Sequence, residues 1–298
     1  MQYRSVAISL VSVLISGGMM ELQAGVLRDM VQKRIEARAE SALPKADTIM
    51  DVAYGSDRKQ RLDVYLPAAK VHDAPVILMV HGGAWSKGDK RMDRVVENKS
   101  ERWNPKGIIF VSVNYRLLPD AGPLKQADDI AAALAYVQKH AGEWGGDPKK
   151  IILMGHSAGA HLVSLISSDP TRYGMLKPWL GTVSLDTAAM NIPGVMNRNH
   201  FDFYDDAFGS DPAYWEAASP YHRLSASAVP MMLVCSTQRP DKPCSEAEGY
   251  VQKALSLGLH PLVQPEAMSH KEINEDLGLE SEYTHAVEAF IRSLGIAI

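Results

Sequence analysis

An apolar run at Ile151–Met154 stops at Gly155-His156-Ser157-Ala158-Gly159, and a helix-forming pattern opens directly behind it. This is G-x-S-x-G in the setting that gives it mechanical meaning: strand, sharp turn, helix. Glycine on either side lets the backbone turn tightly enough to expose Ser157 Oγ at the end of the strand. The helix behind it presents unpaired N–H groups to any negative charge that develops there. Other continuous apolar runs lie at Pro75–Val80, Gly107–Val113 and Val229–Val234. Continuous rather than alternating runs fit strands buried on both faces, as in a parallel sheet.

Helical spacing of three and four separates these runs. Leu124–His140 shows it in Leu124, Ala127, Ile130, Leu134 and Val137, and Ala158–Ser168, Ser245–Leu257 and Ser281–Leu294 read the same way. Two short strand-like runs, Thr48–Tyr54 and Arg61–Leu66, open the order with the turn Gly55-Ser56-Asp57 between them. The expected fold class is α/β, a mostly parallel central sheet with helices on both faces. Val26–Glu40 has the composition of an N-terminal helix. Ala189–Arg223 breaks the rhythm with aromatic and turn residues, and is expected to form a small cap over the sheet's carboxyl edge or a long crossover.

Composition removes several functions. The 298 residues carry 31 Lys+Arg against 35 Asp+Glu, a net charge of −4 with no basic stripe, which argues against nucleic-acid binding. An apolar share of 46% at low net charge argues against disorder. No apolar stretch is long enough to span a membrane. Met1–Ala24 reads as a secretory signal peptide: Arg4, then the apolar run Val6–Ile15, then Gly17–Gly18. That leaves 25–298 as one domain, secreted or periplasmic. Cys235 and Cys244 are then expected to pair in an oxidising compartment. No phosphate loop, dinucleotide fingerprint or metal-ligand cluster stands out, so neither cofactor nor metal is expected. Gly145-Gly146-Asp147-Pro148 is turn chemistry.

A serine nucleophile needs a base, an orienting acid and donors for an oxyanion. His81-Gly82-Gly83-Ala84-Trp85 ends the run Pro75–Val80, and its small residues let N–H groups approach a substrate oxygen. Gly83 and Ala84 are expected to join Ala158 as those donors, with His81 shaping the loop and Trp85 walling the pocket. His270 lies in a loop between the strand His260–Gln264 and the last helix, and is the expected base. The acid is expected in the loop after Val229–Val234, between the two cysteines, where Asp241 is the only carboxylate. Asp186, ending a different strand, and Glu266, close to His270, are the alternatives.

The set His81–Trp85, Asn114-Tyr115-Arg116-Leu117, Gly155–Leu162 and Ser269-His270 resembles the α/β-hydrolase superfamily. More narrowly, it is similar to the carboxylesterase-like branch with an HGGAW oxyanion loop, alongside feruloyl/acetyl-xylan esterase-like proteins and kynurenine formamidases. The resemblance runs from about Met50 to the C-terminus. It implies an α/β-hydrolase fold over 25–298, triad members in the order Ser, acid, His, and an acid in a His-Gly-x-x-Asp pattern. Here that stretch reads Cys235-Ser236-Thr237-Gln238-Arg239, which puts Arg239 where the acid would fall and displaces Asp241 by two. The implied activity is cleavage of a small-molecule carboxylic ester through Ser157, His270 and Asp241 by way of an acyl-enzyme. An arylformamidase-type amidase would use the same residues, and a non-catalytic binding module on the same fold is a rival of another class.

Overall fold

The computed structural model describes residues 25–36 and 47–298, among which eight strands form one sheet. They are β1 (Thr48–Ala53), β2 (Arg61–Tyr65), β3 (Ala74–Val80), β4 (Ile109–Val113), β5 (Gly146–His156), β6 (Gly181–Leu185), β7 (Met231–Ser236) and β8 (Leu262–Glu266). Their order is β1-β2-β4-β3-β5-β6-β7-β8. β2 pairs antiparallel with both β1 and β4, and the remaining neighbours are parallel. This is the mostly parallel sheet that the continuous apolar runs imply.

The two faces of that sheet explain why the runs do not alternate. Val76, Leu78, Val80, Val111 and Leu153 pack on one side with Ile130 and Leu134 of α3 (Pro123–His140) and Leu162 and Ile166 of α4 (Ala158–Ser168). Ile77, Met79, Phe110, Ile152 and Met154 pack on the other. Their partners there are Val95 and Trp103 of α2 (Asp93–Trp103) and Val287 and Ile291 of α11 (Glu282–Ser293). Burial of both faces is what makes hydrophobic side chains favourable at consecutive positions.

β6 carries no continuous apolar run, because Thr182 and Ser184 are polar yet buried. Both are satisfied laterally by α4: Ser184 Oγ accepts from Ser164 at 3.0 Å, and Thr182 Oγ1 pairs with Ser167 Oγ at 2.7 Å. A strand whose alternate residues hydrogen-bond a helix loses the apolar signal without losing burial. α2 buries a charged residue. Its Lys99 is fully buried, and Nζ donates to the carbonyls of Arg94 (3.1 Å) and Asn274. Burial pushes the Lys99 amine down to about 7.

The stretch Ala189–Arg223 folds into four short helices after β6: α5 (Ile192–Met196), α6 (Phe203–Phe208), α7 (Pro212–Ala217) and α8 (Pro220–Arg223). The N-terminal helix, α1, covers 25–36; the rest of its expected span and the signal peptide expected at 1–24 lie outside the described residues. α1 docks beside the Gly83–Gly88 turn through Gln32, whose side chain accepts from Gly88 N–H (3.0 Å) and donates to Gly88 O (3.2 Å).

Candidate active site

Ser157 sits between β5 and α4 with φ 56 and ψ −119, a left-handed backbone that a side chain adopts only when its surroundings impose it. The imposition is visible in its neighbours. Its N–H donates to Leu185 O of β6 (2.9 Å) and its carbonyl accepts from His161 N–H (3.0 Å). Gly159 lets α4 approach β3, since a Cβ there would lie 2.4 Å from Val80 O. The turn thus depends on close contact with two neighbouring strands.

His270 opens the short helix α10 (His270–Glu275), behind a capping box made by Ser269 and Glu272. Its Nε2 lies 2.9 Å from Ser157 Oγ. Its Nδ1 lies 2.6 Å from Oδ2 of Asp186, the residue directly after β6. A carboxylate only accepts, so Nδ1 carries the hydrogen and the lone pair on Nε2 faces the serine hydroxyl. Asp186 is fully buried; its Oδ1 accepts from Ser236 N–H (2.8 Å) and its Oδ2 from Arg239 Nη1 (2.9 Å). Burial works to raise its pKa. The His270 hydrogen bond, the Arg239 charge and the Ser236 N–H outweigh it and hold the carboxyl at about 2.

The expectation that Asp241 backs His270 is therefore corrected: the carboxylate on His270 is Asp186. Asp241 is occupied by Arg239, whose Nε donates to Oδ1 (2.9 Å) and whose Nη2 donates to Oδ2. Topology supplies the reason. β6 lies between β5 and β7, so its end sits beside the Ser157 turn, and α10 reaches it by folding back from β8. Glu266 also stays out of the site, accepting instead from Gln264 Nε2 (2.9 Å).

The loop after β3 is held from several sides. Ala84 (φ 50) and Trp85 (φ 57) are left-handed, and Gly83 (φ 132) could not take a side chain, because its Cβ would lie 1.9 Å from Lys87 O. Trp85 is buried, lines the cavity, and packs on Phe208 (4.9 Å) and Tyr204 (5.7 Å) of α6. Its Nε1 donates to His161 Nδ1 (3.2 Å), and His161 Nε2 donates to Ala218 O at 2.7 Å. One buried imidazole, pushed by burial to about 4, thus ties this loop to the four-helix segment. Gln126 Nε2 donates to Trp85 O (2.8 Å). Asn114 bonds Asp89 and the Lys90 N–H, and Tyr115 donates to His81 O (2.9 Å) while stacking on its ring. Asn114 and Tyr115 thus support this loop, while Arg116 pairs with Asp129 (2.6 Å). Gly83 and Ala84 line the same cavity as Ser157, and the N–H groups of Gly83, Ala84 and Ala158 have no hydrogen-bond partner among the described residues.

His156 closes the site from below. Its ring lies 4.5 Å from that of His270, and its Nε2 donates to His270 O (3.0 Å). Burial and the neighbouring His270 keep its pKa well below the usual range. These groups border a cavity of about 500 Å³ that also includes Phe203, Tyr204 and Asp241. Cys235 and Cys244 are joined by a disulfide, with Cα atoms 5.1 Å apart, closing the loop that carries Arg239 and Asp241.

Sequence reasoning keeps Asp186 only as an alternative to Asp241 and finds no role for Arg239. The available signal was Arg239 itself: a cation in the acid's place requires that the acid come from elsewhere.

The BD-FAE family model matches residues 62–177. The chain is 33% identical over 229 residues to isoprenylcysteine alpha-carbonyl methylesterase ICME of Arabidopsis thaliana, covering 70% of this chain and 52% of that protein. It is 30% identical over 224 residues to esterase LipQ of Mycobacterium tuberculosis, covering 67% of this chain and 51% of that one. Across its curated relatives, the chain spans between about a quarter and about half of their length. Among solved structures, a truncated carbohydrate esterase from gut microbiota superposes with a TM-score of 0.73 at 17% identity, covering 84% of this chain and 98% of that one.

Proposed function

From a chain that belongs to the carboxylesterase-like branch of the α/β hydrolases, we propose a serine hydrolase that cleaves small-molecule carboxylic esters. The observation that carries this reading is the unbroken relay from Ser157 Oγ to His270 Nε2 (2.9 Å) and from His270 Nδ1 to Asp186 Oδ2 (2.6 Å). Ser157 Oγ attacks the ester carbonyl carbon as its proton passes to His270 Nε2. Asp186 keeps the imidazole in the reactive tautomer and stabilises the imidazolium. The carbonyl oxygen becomes an oxyanion held by the N–H groups of Gly83, Ala84 and Ala158, which need no reorganisation because the loop is already braced. His270 then gives its proton to the leaving alkoxide. Water, activated by the same imidazole, releases the acid from the acyl-enzyme.

Amide cleavage of the arylformamidase type would draw on the same groups and differ only in the leaving atom. The names of the two relatives above favour the ester. Localisation follows from the signal reading: removal of 1–24 in an exporting cell leaves 25–298 as the mature chain, secreted or periplasmic, with Cys235–Cys244 formed in that compartment.

The test is a panel of p-nitrophenyl esters and N-formylanilides on the purified chain and on Ser157→Ala, with fluorophosphonate labelling alongside. Ester turnover and labelling that both vanish in the variant support the reading. Anilide cleavage without ester cleavage would replace it with the amidase.

A further inference from the structure

The guanidinium of Arg239, in the loop closed by the disulfide, is the hub of the site's charges. Nη1 donates to Asp186 Oδ2 (2.9 Å) and to Asp186 O (3.1 Å), while Nε and Nη2 fork onto Asp241. The same Nη1 lies 2.9 Å from His270 Nδ1. Both nitrogens carry hydrogens, so this is not a bond between them; they converge side by side on one carboxylate oxygen. We propose that Arg239 is a positioning residue for the reaction: it pins Asp186 against His270 and, held in check by Asp241, sets the basicity of His270.

Two effects follow from that placement. First, Asp186 receives three donors, from Ser236, His270 and Arg239, so its carboxylate has little freedom to turn from the imidazole. Second, a cation in contact with His270 disfavours the imidazolium, whereas Asp241 offsets that cation. Other charged groups also face His270 and bear on the sign. His156 packs against its ring, Lys99 of α2 lies under α10, Lys87 and Arg94 edge the cavity, and Lys271 and Glu272 flank it in sequence. None of them touches the Asp186 carboxylate, so altering Arg239 or Asp241 changes the charge at His270 and leaves these in place. The inference rests on the serine-hydrolase reading above.

The experiment measures the rate of fluorophosphonate labelling of Ser157 against pH, and kcat and KM for a neutral p-nitrophenyl ester, on the full chain. Variants are Arg239→Gln, Arg239→Lys and Asp241→Asn. Arg239→Gln is expected to lower the labelling rate and kcat about 10- to 100-fold with KM nearly unchanged, and to move the acid limb up by about one pH unit. Arg239→Lys keeps the charge but not the fork, so it should return the limb towards its original place while recovering only part of the rate. Asp241→Asn should move the limb down, because Arg239 is then uncompensated. A lower rate with an unmoved limb in both Arg239→Gln and Asp241→Asn would reduce Arg239 to packing and overturn the proposal, as would unchanged rates. Labelling does not depend on the ester chosen: normal labelling without turnover of any ester would count against the esterase reading and leave the Arg239 measurement intact.

Discussion

His270 Nδ1 donates to Asp186 Oδ2 across 2.6 Å, joining two residues 84 positions apart. That contact sets a buried carboxylate from directly behind β6 against the imidazole, while the loop after β7 offers Arg239 at the corresponding point.

Removing the Asp186 charge should cost the most among the acids near the site. Asp186→Asn leaves the shape but lets the imidazole take the wrong tautomer, so kcat is expected to fall by about 10⁴. Asp241→Asn should stay within about tenfold, since Asp241 reaches His270 only through Arg239. Steady-state kinetics of the two variants separate the cases. The opposite ranking would restore Asp241 as the acid.

Ser157→Ala should leave only residual rate, several orders of magnitude below the parent, with thermal stability nearly unchanged. Ester hydrolysis within tenfold of the parent would show that another nucleophile operates.

Gly83 is expected to tolerate no side chain. With φ 132 and a Cβ 1.9 Å from Lys87 O, Gly83→Ala must displace the loop that carries the Gly83 and Ala84 N–H groups. Loss of one such donor typically costs about 10²–10³ in kcat. A variant that keeps its melting temperature and its kcat would mean that the oxyanion is held elsewhere.

Acid should destabilise the fold through two depressed carboxyls. Burial would raise Asp186 and Glu288, but their cationic and hydrogen-bonding neighbours (Arg239 and His270 for one, Arg102 and Lys106 for the other) hold each at about 2. Unfolded carboxyls titrate near 4, at about 3.9 for Asp and 4.3 for Glu. The stability they contribute is therefore complete above that range and is lost as pH falls towards 2. Glu288→Gln should lower the melting temperature at pH 7 and flatten its fall between about pH 4.5 and pH 2. An unchanged slope in the variant would remove Glu288 from the account.

Reduction of Cys235–Cys244 should destabilise by about 2.5–3 kcal/mol in the chain-entropy model of a loop this short. Because that loop carries Arg239 and Asp241, kcat should fall as well. Denaturant unfolding and kinetics with and without reductant measure both. A drop in stability with no change in kcat would confine the disulfide to the fold.

Much of this architecture is legible from local sequence. Ile151–Met154 followed by Gly155–Gly159 specifies strand, turn and helix within a dozen residues, because the glycines and the apolar run act over that distance. The continuous run at Pro75–Val80 announces a strand buried on both faces, and the small residues of His81–Trp85 announce a loop whose N–H groups can be approached. His270 is legible too, as a histidine between a strand and the last helix.

Asp186 is legible only as an alternative to Asp241, and the reason is physical. Which carboxylate meets His270 depends on strand order, and strand order is settled by packing among segments far apart in the chain. β6 conceals its burial behind Thr182 and Ser184, and only in the folded sheet does its end lie beside the Ser157 turn. Asp241 is the nearer candidate along the loop, yet Arg239 takes both its oxygens and turns its own guanidinium to Asp186. The sequence by itself determined the Ser157 turn, the small-residue loop after β3, the place of His270 behind the last strand and the parallel sheet, since each follows from neighbours along the chain. Tertiary structure alone decided which carboxylate meets His270, because that buried group is chosen by three donors that converge on it from a strand, a loop and a helix start.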